Sequence, residues 1–182
     1  MIKARETKLK GCFLLEPFIH NDERGHFFES HNHRDFCKAI GREVNFVQDN
    51  QSQSRKGVLR GLHFQKGEHA QAKLISVIAG RIQDVVVDLR KDSPTFKQHL
   101  SLILDSETKH QLFIPRGFAH GFLTLSESAI VSYKCDNYYN RGAEGGIRFD
   151  DGELGIEWEM SPDEVLVSEK DMSISNFNDL GH

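Results

Sequence analysis

The stretch Gly57-Val58-Leu59-Arg60-Gly61-Leu62-His63-Phe64-Gln65 sets two glycines around an apolar run that holds one arginine and one histidine. Val58, Leu59, Leu62 and Phe64 have the composition of a strand that buries at least one face. Arg60 and His63 are its polar exceptions, and a polar group on a buried strand needs a partner, a ligand or a chemical role. Pro115-Arg116-Gly117-Phe118-Ala119-His120-Gly121-Phe122 repeats the theme. Two Gly-flanked histidines on aromatic-rich strands, far apart in sequence, point to one pocket lined from two strands.

Strand signals continue on both sides. Residues 44–50 carry Phe46, Gln48 and Asn50 at period two, with Val47 and Asp49 on the other face. Residues 72–78 and 81–89 are expected strands around a turn at Ala79-Gly80, and Leu100, Leu102 and Leu104 alternate. Residues 111–114, 121–125 and 129–135 follow, the last with Ala129, Val131 and Tyr133 on one face. Near the N-terminus, short apolar pieces around Pro17 suit an edge strand. Residues 21–25 form a turn and 26–30 a strand. Asn32 is placed to cap a helix over residues 33–40, with Phe36, Ala39 and Ile40 inward and Gly41 ending it. Residues 141–146 read as a loop and 156–158 as extended, while 162–170 stay open between helix and irregular chain. The polar tail beyond Asp171 is expected to be loosely held.

Many short strands, with turns about every ten residues, describe an all-β sandwich or barrel. The expected architecture is a single domain over residues 1–182. A cupin-like jelly roll with a few short helices is the natural candidate, because it encloses a pocket between two sheets. The 182 residues suffice for one domain with a real core.

Composition narrows the function. The formal net charge of −4 argues against a non-specific nucleic-acid binder. Cys12, Cys37 and Cys135 are widely spaced and odd in number, so neither a disulfide framework nor a CxxC knuckle is visible and a reducing cytoplasm is expected. The N-terminal residues lack a signal-peptide pattern, and no apolar run approaches the ~20 residues of a membrane helix. Of the ten histidines, His31, His33, His99 and His110 sit among polar residues and are expected to be solvated. Pro115, Gly117 and His120 match the PxGxxH core of the second cupin motif. The first stretch, however, offers a single histidine where metal-binding cupins place a paired HxH and a glutamate. Two histidines without a well-placed carboxylate make a poor metal site, so no metal is expected.

Taken together, these segments resemble the dTDP-4-dehydrorhamnose 3,5-epimerase family. The likeness runs from about Lys3 to the region of Asp171. It rests on Asp22-Glu23-Arg24-Gly25 with Phe27-Phe28-Glu29, Val47-Gln48-Asp49-Asn50, the opening stretch, Gln71-Ala72-Lys73, Ser93-Pro94-Thr95-Phe96, Gly117-Phe118-Ala119-His120-Gly121-Phe122, Tyr133-Lys134-Cys135 with Tyr138-Tyr139, and Gly155-Ile156-Glu157-Trp158. The resemblance implies a jelly roll without metal or cofactor that works as a homodimer, with N-terminal segments crossing between subunits. The implied substrate is a dTDP-linked 4-keto-6-deoxyhexose, with no nucleic-acid or membrane partner.

A ketone at C4 acidifies the C–H bonds at C3 and C5, so epimerisation needs a base on one face, a charge stabiliser at the enolate oxygen and an acid on the other face. The resemblance assigns His63 as base, Asp171 as the carboxylate that orients it, and Tyr133 as acid. Lys73 would stabilise enolate charge and His120 would contact the sugar near the keto group. Arg24 and Arg60 suit a pyrophosphate, because a guanidinium forks onto phosphate oxygens. Glu29, Gln48, Asp49 and Asn50 match positions that line the nucleotide site, Asp49 through its backbone. Tyr139 matches an aromatic that stacks on thymine, and Glu144 and Lys170 match further substrate contacts. For each residue alone, a packed core histidine, a core tyrosine or a solvated charge is the structural alternative. The functional alternatives are a mono-epimerase acting at C3 or C5 only, a metal-dependent cupin oxygenase, and a non-catalytic sugar-nucleotide-binding module.

Overall fold

The structure is a computed structural model that describes residues 2–179. Its strands are β1 (Ile2–Glu6), β2 (Phe13–Pro17), β3 (His20–Asp22), β4 (Gly25–Phe27), β5 (Gln48–Arg55), β6 (Leu59–Gln65), β7 (Lys73–Ala79), β8 (Arg81–Asp88), β9 (His99–Asp105), β10 (Gln111–Ile114), β11 (Phe118–Thr124), β12 (Ser128–Cys135) and β13 (Glu144–Gly146). The helices are α1 (His33–Ile40) and α2 (Glu169–Met172). Two antiparallel sheets form the sandwich, ordered β1-β2-β10-β7-β12-β5 and β13-β6-β11-β8-β9, and β3 and β4 make a separate hairpin.

Period two explains the core. Ile75 and Val77 of β7 with Ala129 and Val131 of β12 face Ile82 and Val86 of β8 and Phe118 and Phe122 of β11. On the outer side of the five-stranded sheet, Val85, Val87, Leu62 and Ala119 are covered by Ile147, Leu154 and Phe177. On the outer side of the six-stranded sheet, Phe36, Cys37 and Ile40 of α1 pack against Leu15, Leu74 and Phe113. The helix has the expected ends: the Asn32 side chain accepts from the Asp35 N–H at 3.2 Å, and Gly41 terminates it with φ of 73°. This is the jelly roll of the cupin kind expected from the strand pattern.

Several local expectations are corrected. The strand before Pro17 is internal, between β1 and β10, and Pro17 ends it. The helix buries Cys37 fully and Ala39 only in part. The strand expected over residues 44–50 begins at Gln48 and continues through a polar run to Arg55. The turn at Gly80 passes the chain from one sheet to the other, because β7 and β8 belong to different sheets. Residues 144–146 form β13 against β6, residues 156–158 form no strand, and 162–168 are irregular. His31 is only partly solvated: it is half-buried, with its ring 5.5 Å from Phe36 and 5.4 Å from Phe46.

The tail is also held. Phe177 is 1% exposed, and its N–H donates to the buried Asp151 at 2.7 Å. The Phe177→Ala variant is expected to lose about 3–5 kcal/mol, the usual range for emptying a buried aromatic site. Urea unfolding should show a lower midpoint with an unchanged slope; a loss below about 1 kcal/mol would mean that the tail contributes little to the fold.

Candidate active site

The site is built on the pairing of β6 with β11, which sets His63 directly opposite His120. The two strands approach closely where Gly61 meets Gly121. A Cβ on Gly61 would stand 2.6 Å from Gly121 Cα, and Gly61 has φ of 116°, so both sterics and backbone reserve the position for glycine. Facing these strands, β7, β12 and β5 of the other sheet contribute Lys73, Tyr133, Gln48, Asn50 and Ser52. Between the sheets lies a cavity of about 500 Å³ that these residues line together with Arg60, His63, His120, Phe122, Tyr139, Glu144, Lys170 and Asp171.

Each functional side chain has a defined setting. His63 Nε2 is 3.1 Å from Asp171 Oδ1. Asp171 is 5% exposed and starts from the short helix α2, which Ser168 caps; its Oδ2 accepts from the Gly61 N–H at 3.2 Å. Burial pushes the Asp171 carboxyl up, but His63, the Gly61 N–H and Ser168 outweigh it and hold the group below the usual carboxylate range. His63 Nδ1 lies 3.7 Å from Glu144 Oε1. Glu144 also accepts from Lys170 Nζ at 2.6 Å and the Tyr139 hydroxyl at 2.9 Å. Burial raises the Tyr133 phenol above its ordinary value, which keeps it a proton carrier at neutral pH. Burial lowers the Lys73 ammonium, which stands 5.9 Å from the Tyr133 ring centre. Arg60 lines the cavity and donates from Nε to the Ser54 hydroxyl at 3.0 Å and from Nη2 to the Gln53 carbonyl at 3.4 Å, which leaves Nη1 without a partner among the described residues.

Of the fourteen residues expected at the site, eleven line this cavity: His63, Tyr133, Asp171, Lys73, Gln48, Asn50, Arg60, His120, Tyr139, Glu144 and Lys170. Three do not. Asp49 points to the other face of β5, where its carboxylate pairs with Lys134 at 2.8 Å. Arg24 sits on the exposed β3–β4 hairpin, bound to Asp22 at 2.5 Å. Glu29 accepts from Asn32 at 3.1 Å and lines a separate, smaller cleft beside the hairpin. The cavity also holds residues given no site role from the sequence: Gln65, Gln71, Phe64 and Phe122, which lie inside the quoted motifs, and Ser52 and Ser168, which lie outside them. Ser52 was legible as a member of the Gln48, Asn50 row at period two, had that strand been extended. Among the described residues, the only group of three His, Cys, Asp or Glu donors within 4.8 Å is His33 and Cys37 of α1 with Glu43 just beyond it, away from this cavity.

The fold and site define a class: a jelly-roll protein with an acid–base site, in which a carboxylate-backed histidine on one sheet faces a tyrosine on the other. Comparison with known proteins makes the class specific. The family model described as dTDP-4-dehydrorhamnose 3,5-epimerase matches residues 6–179. A Salmonella typhimurium dTDP-4-dehydrorhamnose 3,5-epimerase is 54% identical over 161 residues, 88% of each chain. The crystal structure of the enzyme of that name from Elizabethkingia anophelis superposes with a TM-score of 0.95 at 49% identity, covering 100% of this chain and 99% of that one. A Legionella pneumophila 3,5-epimerase, solved in complex with dTDP-4-keto-L-rhamnose, gives a TM-score of 0.95 at 42% identity, with 100% and 95% covered. This chain belongs to the dTDP-4-dehydrorhamnose 3,5-epimerase family.

Because the folded pKa of Asp171 lies below its unfolded value, the pair adds stability above about pH 4, and this is lost as pH falls from there through the lower folded value. Asp171→Asn should therefore flatten the acid limb of the stability curve below about pH 4. Urea midpoints across that window check it, and an acid limb as steep as in the parent would place the lost protons elsewhere.

Proposed function

We propose that this chain epimerises C3 and C5 of dTDP-4-dehydro-6-deoxy-D-glucose to give dTDP-4-dehydro-L-rhamnose, through an enolate at each centre. The observation that carries the reading is the placement of His63, backed by Asp171, and Tyr133 on opposite sheets of one cavity. With Nε2 engaged by Asp171, Nδ1 is the nitrogen of His63 left to accept a carbon-bound proton. The electron pair of the broken C–H bond moves onto the C4 oxygen. Lys73 and His120 stabilise that charge in a partly dry site. The Tyr133 phenol then delivers a proton to the opposite face, and the carbonyl reforms. A proton is lost and regained and no electrons leave the sugar, so the balance calls for no redox carrier.

The nucleotide half fits the rest of the cavity. Arg60 is disposed to fork onto the pyrophosphate. Gln48 and Asn50 offer amides for the base or ribose, and exposed Tyr139 offers a ring for thymine to stack on. Glu144 and Lys170 border the same region.

The proposal includes a homodimer built from one jelly-roll domain per chain, working in the cytoplasm. The β3–β4 hairpin supports it: Phe18 and Phe27 are 60% and 69% exposed there, and Arg24 lies beyond its own chain's cavity. Crossing to a partner would cover the two rings and bring Arg24, with Glu29, to the partner's nucleotide site.

The decisive experiment is incubation with dTDP-4-keto-6-deoxyglucose in D2O, with the product read by mass and NMR. Label at both C3 and C5 is expected. Label at one carbon would make the protein a mono-epimerase, and no label with nucleotide bound would make it a binding module. His63→Ala should lower exchange at both carbons by about 10²–10⁴-fold, the usual contribution of a positioned base. Tyr133→Phe should preserve proton loss and impair correct reprotonation; an unchanged rate and stereochemistry would remove Tyr133 from the mechanism. Arg60→Ala should weaken dTDP binding, which calorimetry reads directly. An unaltered affinity would place the phosphate site elsewhere.

A further inference from the structure

Period two along β8 sets Asp84 and Asp88 in the row of Ile82 and Val86, which faces the apolar interior of the sandwich. Both carboxylates are 0% exposed. Asp88 is saturated. Arg90 forks onto it through Nε and Nη2 at 2.8 and 2.6 Å, and the Ser93 and Thr95 hydroxyls each donate at 2.6 Å. Asp84 is not. Its Oδ2 meets His120 Nε2 at 2.9 Å, and among the described residues its Oδ1 has no hydrogen-bond partner. A buried carboxylate held by a single bond is destabilising, so its retention in the core calls for a reason other than packing.

The reason lies one hydrogen bond away, at the cavity wall. His120 lines the cavity and stands across from His63 in the β6–β11 register. We propose that Asp84 is a positioning residue for His120. It fixes the ring's proton on Nε2 and presents Nδ1 to the sugar, so the cavity carries two carboxylate-backed imidazoles on neighbouring strands of one sheet. A carboxylate can only accept, which sets the tautomer, and among the described residues Nδ1 has no hydrogen-bond partner. His120 and His63 are thus tied by the same ring nitrogen to carboxylates from different parts of the chain. Asp84 is also among the groups that oppose the lowering of the Lys73 ammonium by burial. This inference rests on the epimerase reading and deepens it.

A double-mutant cycle on the full chain tests it, with Asp84→Ala and His120→Ala alone and combined and deuterium exchange as the readout. Asp84→Ala is expected to lower kcat by about 10- to 100-fold, the range found when a carboxylate that orients a functional histidine is removed, with KM little changed. In the His120→Ala background the same change should have almost no further effect. An equal loss in both backgrounds would overturn the proposal, because Asp84 would then act on the core and not through His120. Should Asp84→Ala fail to fold, the isosteric Asp84→Asn runs the same cycle. Ring 15N shifts of His120 give a readout independent of activity. The Nε2–H tautomer is expected in the parent protein, and an Nδ1–H tautomer would overturn the proposal. A parent protein without exchange would sink the epimerase reading, and the 15N shifts would still decide the Asp84–His120 pairing.

Discussion

The close antiparallel contact of β6 with β11 is the constraint on which the site depends. It needs two glycines at the crossing, Gly61 and Gly121, because each lacks the Cβ that would strike the other strand's backbone. Only with the strands this close do His63 and His120 fall opposite each other, on the side of the sheet that faces the second sheet. The chemistry of the cavity follows from that register. A slip of β6 by one residue would send His63 to the outer face, where Leu62 now packs.

The same interior is apolar at one end and polar at the other. Ile75, Val77, Ala129 and Val131 continue along their own strands into Lys73 and Tyr133, with no change of face. A half-dry pocket results, and it acts on every titrating group in it. Burial lowers the Lys73 ammonium and raises the Tyr133 phenol, while Asp171 stays low only because His63 and two further donors surround it. Charges placed there interact more strongly than in water, which is what an enolate at C4 requires.

The strand pattern, the cap and stop of α1 and the pairing of two distant Gly-His segments were all legible, because each depends on local periodicity or a single backbone requirement. So was most of the cavity: His63, Lys73, His120 and Tyr133 lie on strands whose inward phase could be counted. The polar strand β5 was legible only in part, since Gln51 to Arg55 lack the apolar alternation that marks a strand and form one by pairing with β12. Asp84 was passed over because a lone acid between Gln83 and Val85 has no motif around it, and its meaning appears only when His120 arrives from 36 residues away. Arg24 and Glu29 match motifs well but lie outside their own chain's cavity, a separation that strand counting cannot show.

The two carboxylates behind the imidazoles tie the site to different levels of the fold. Asp84 belongs to an interior strand of its sheet, paired on both sides, so its bond to His120 is as durable as the sandwich itself. Asp171 arrives on a four-residue helix near the end of the chain, too short to persist alone. That helix keeps its place through the Ser168 cap, through the Gly61 N–H on Asp171 and through a following segment pinned by Phe177 against Phe96. Loosening the tail therefore reaches His63 through Asp171 before it disturbs the core. The orientation of His63 is the part of the site most sensitive to partial unfolding, while the second imidazole keeps its partner until the sheet opens.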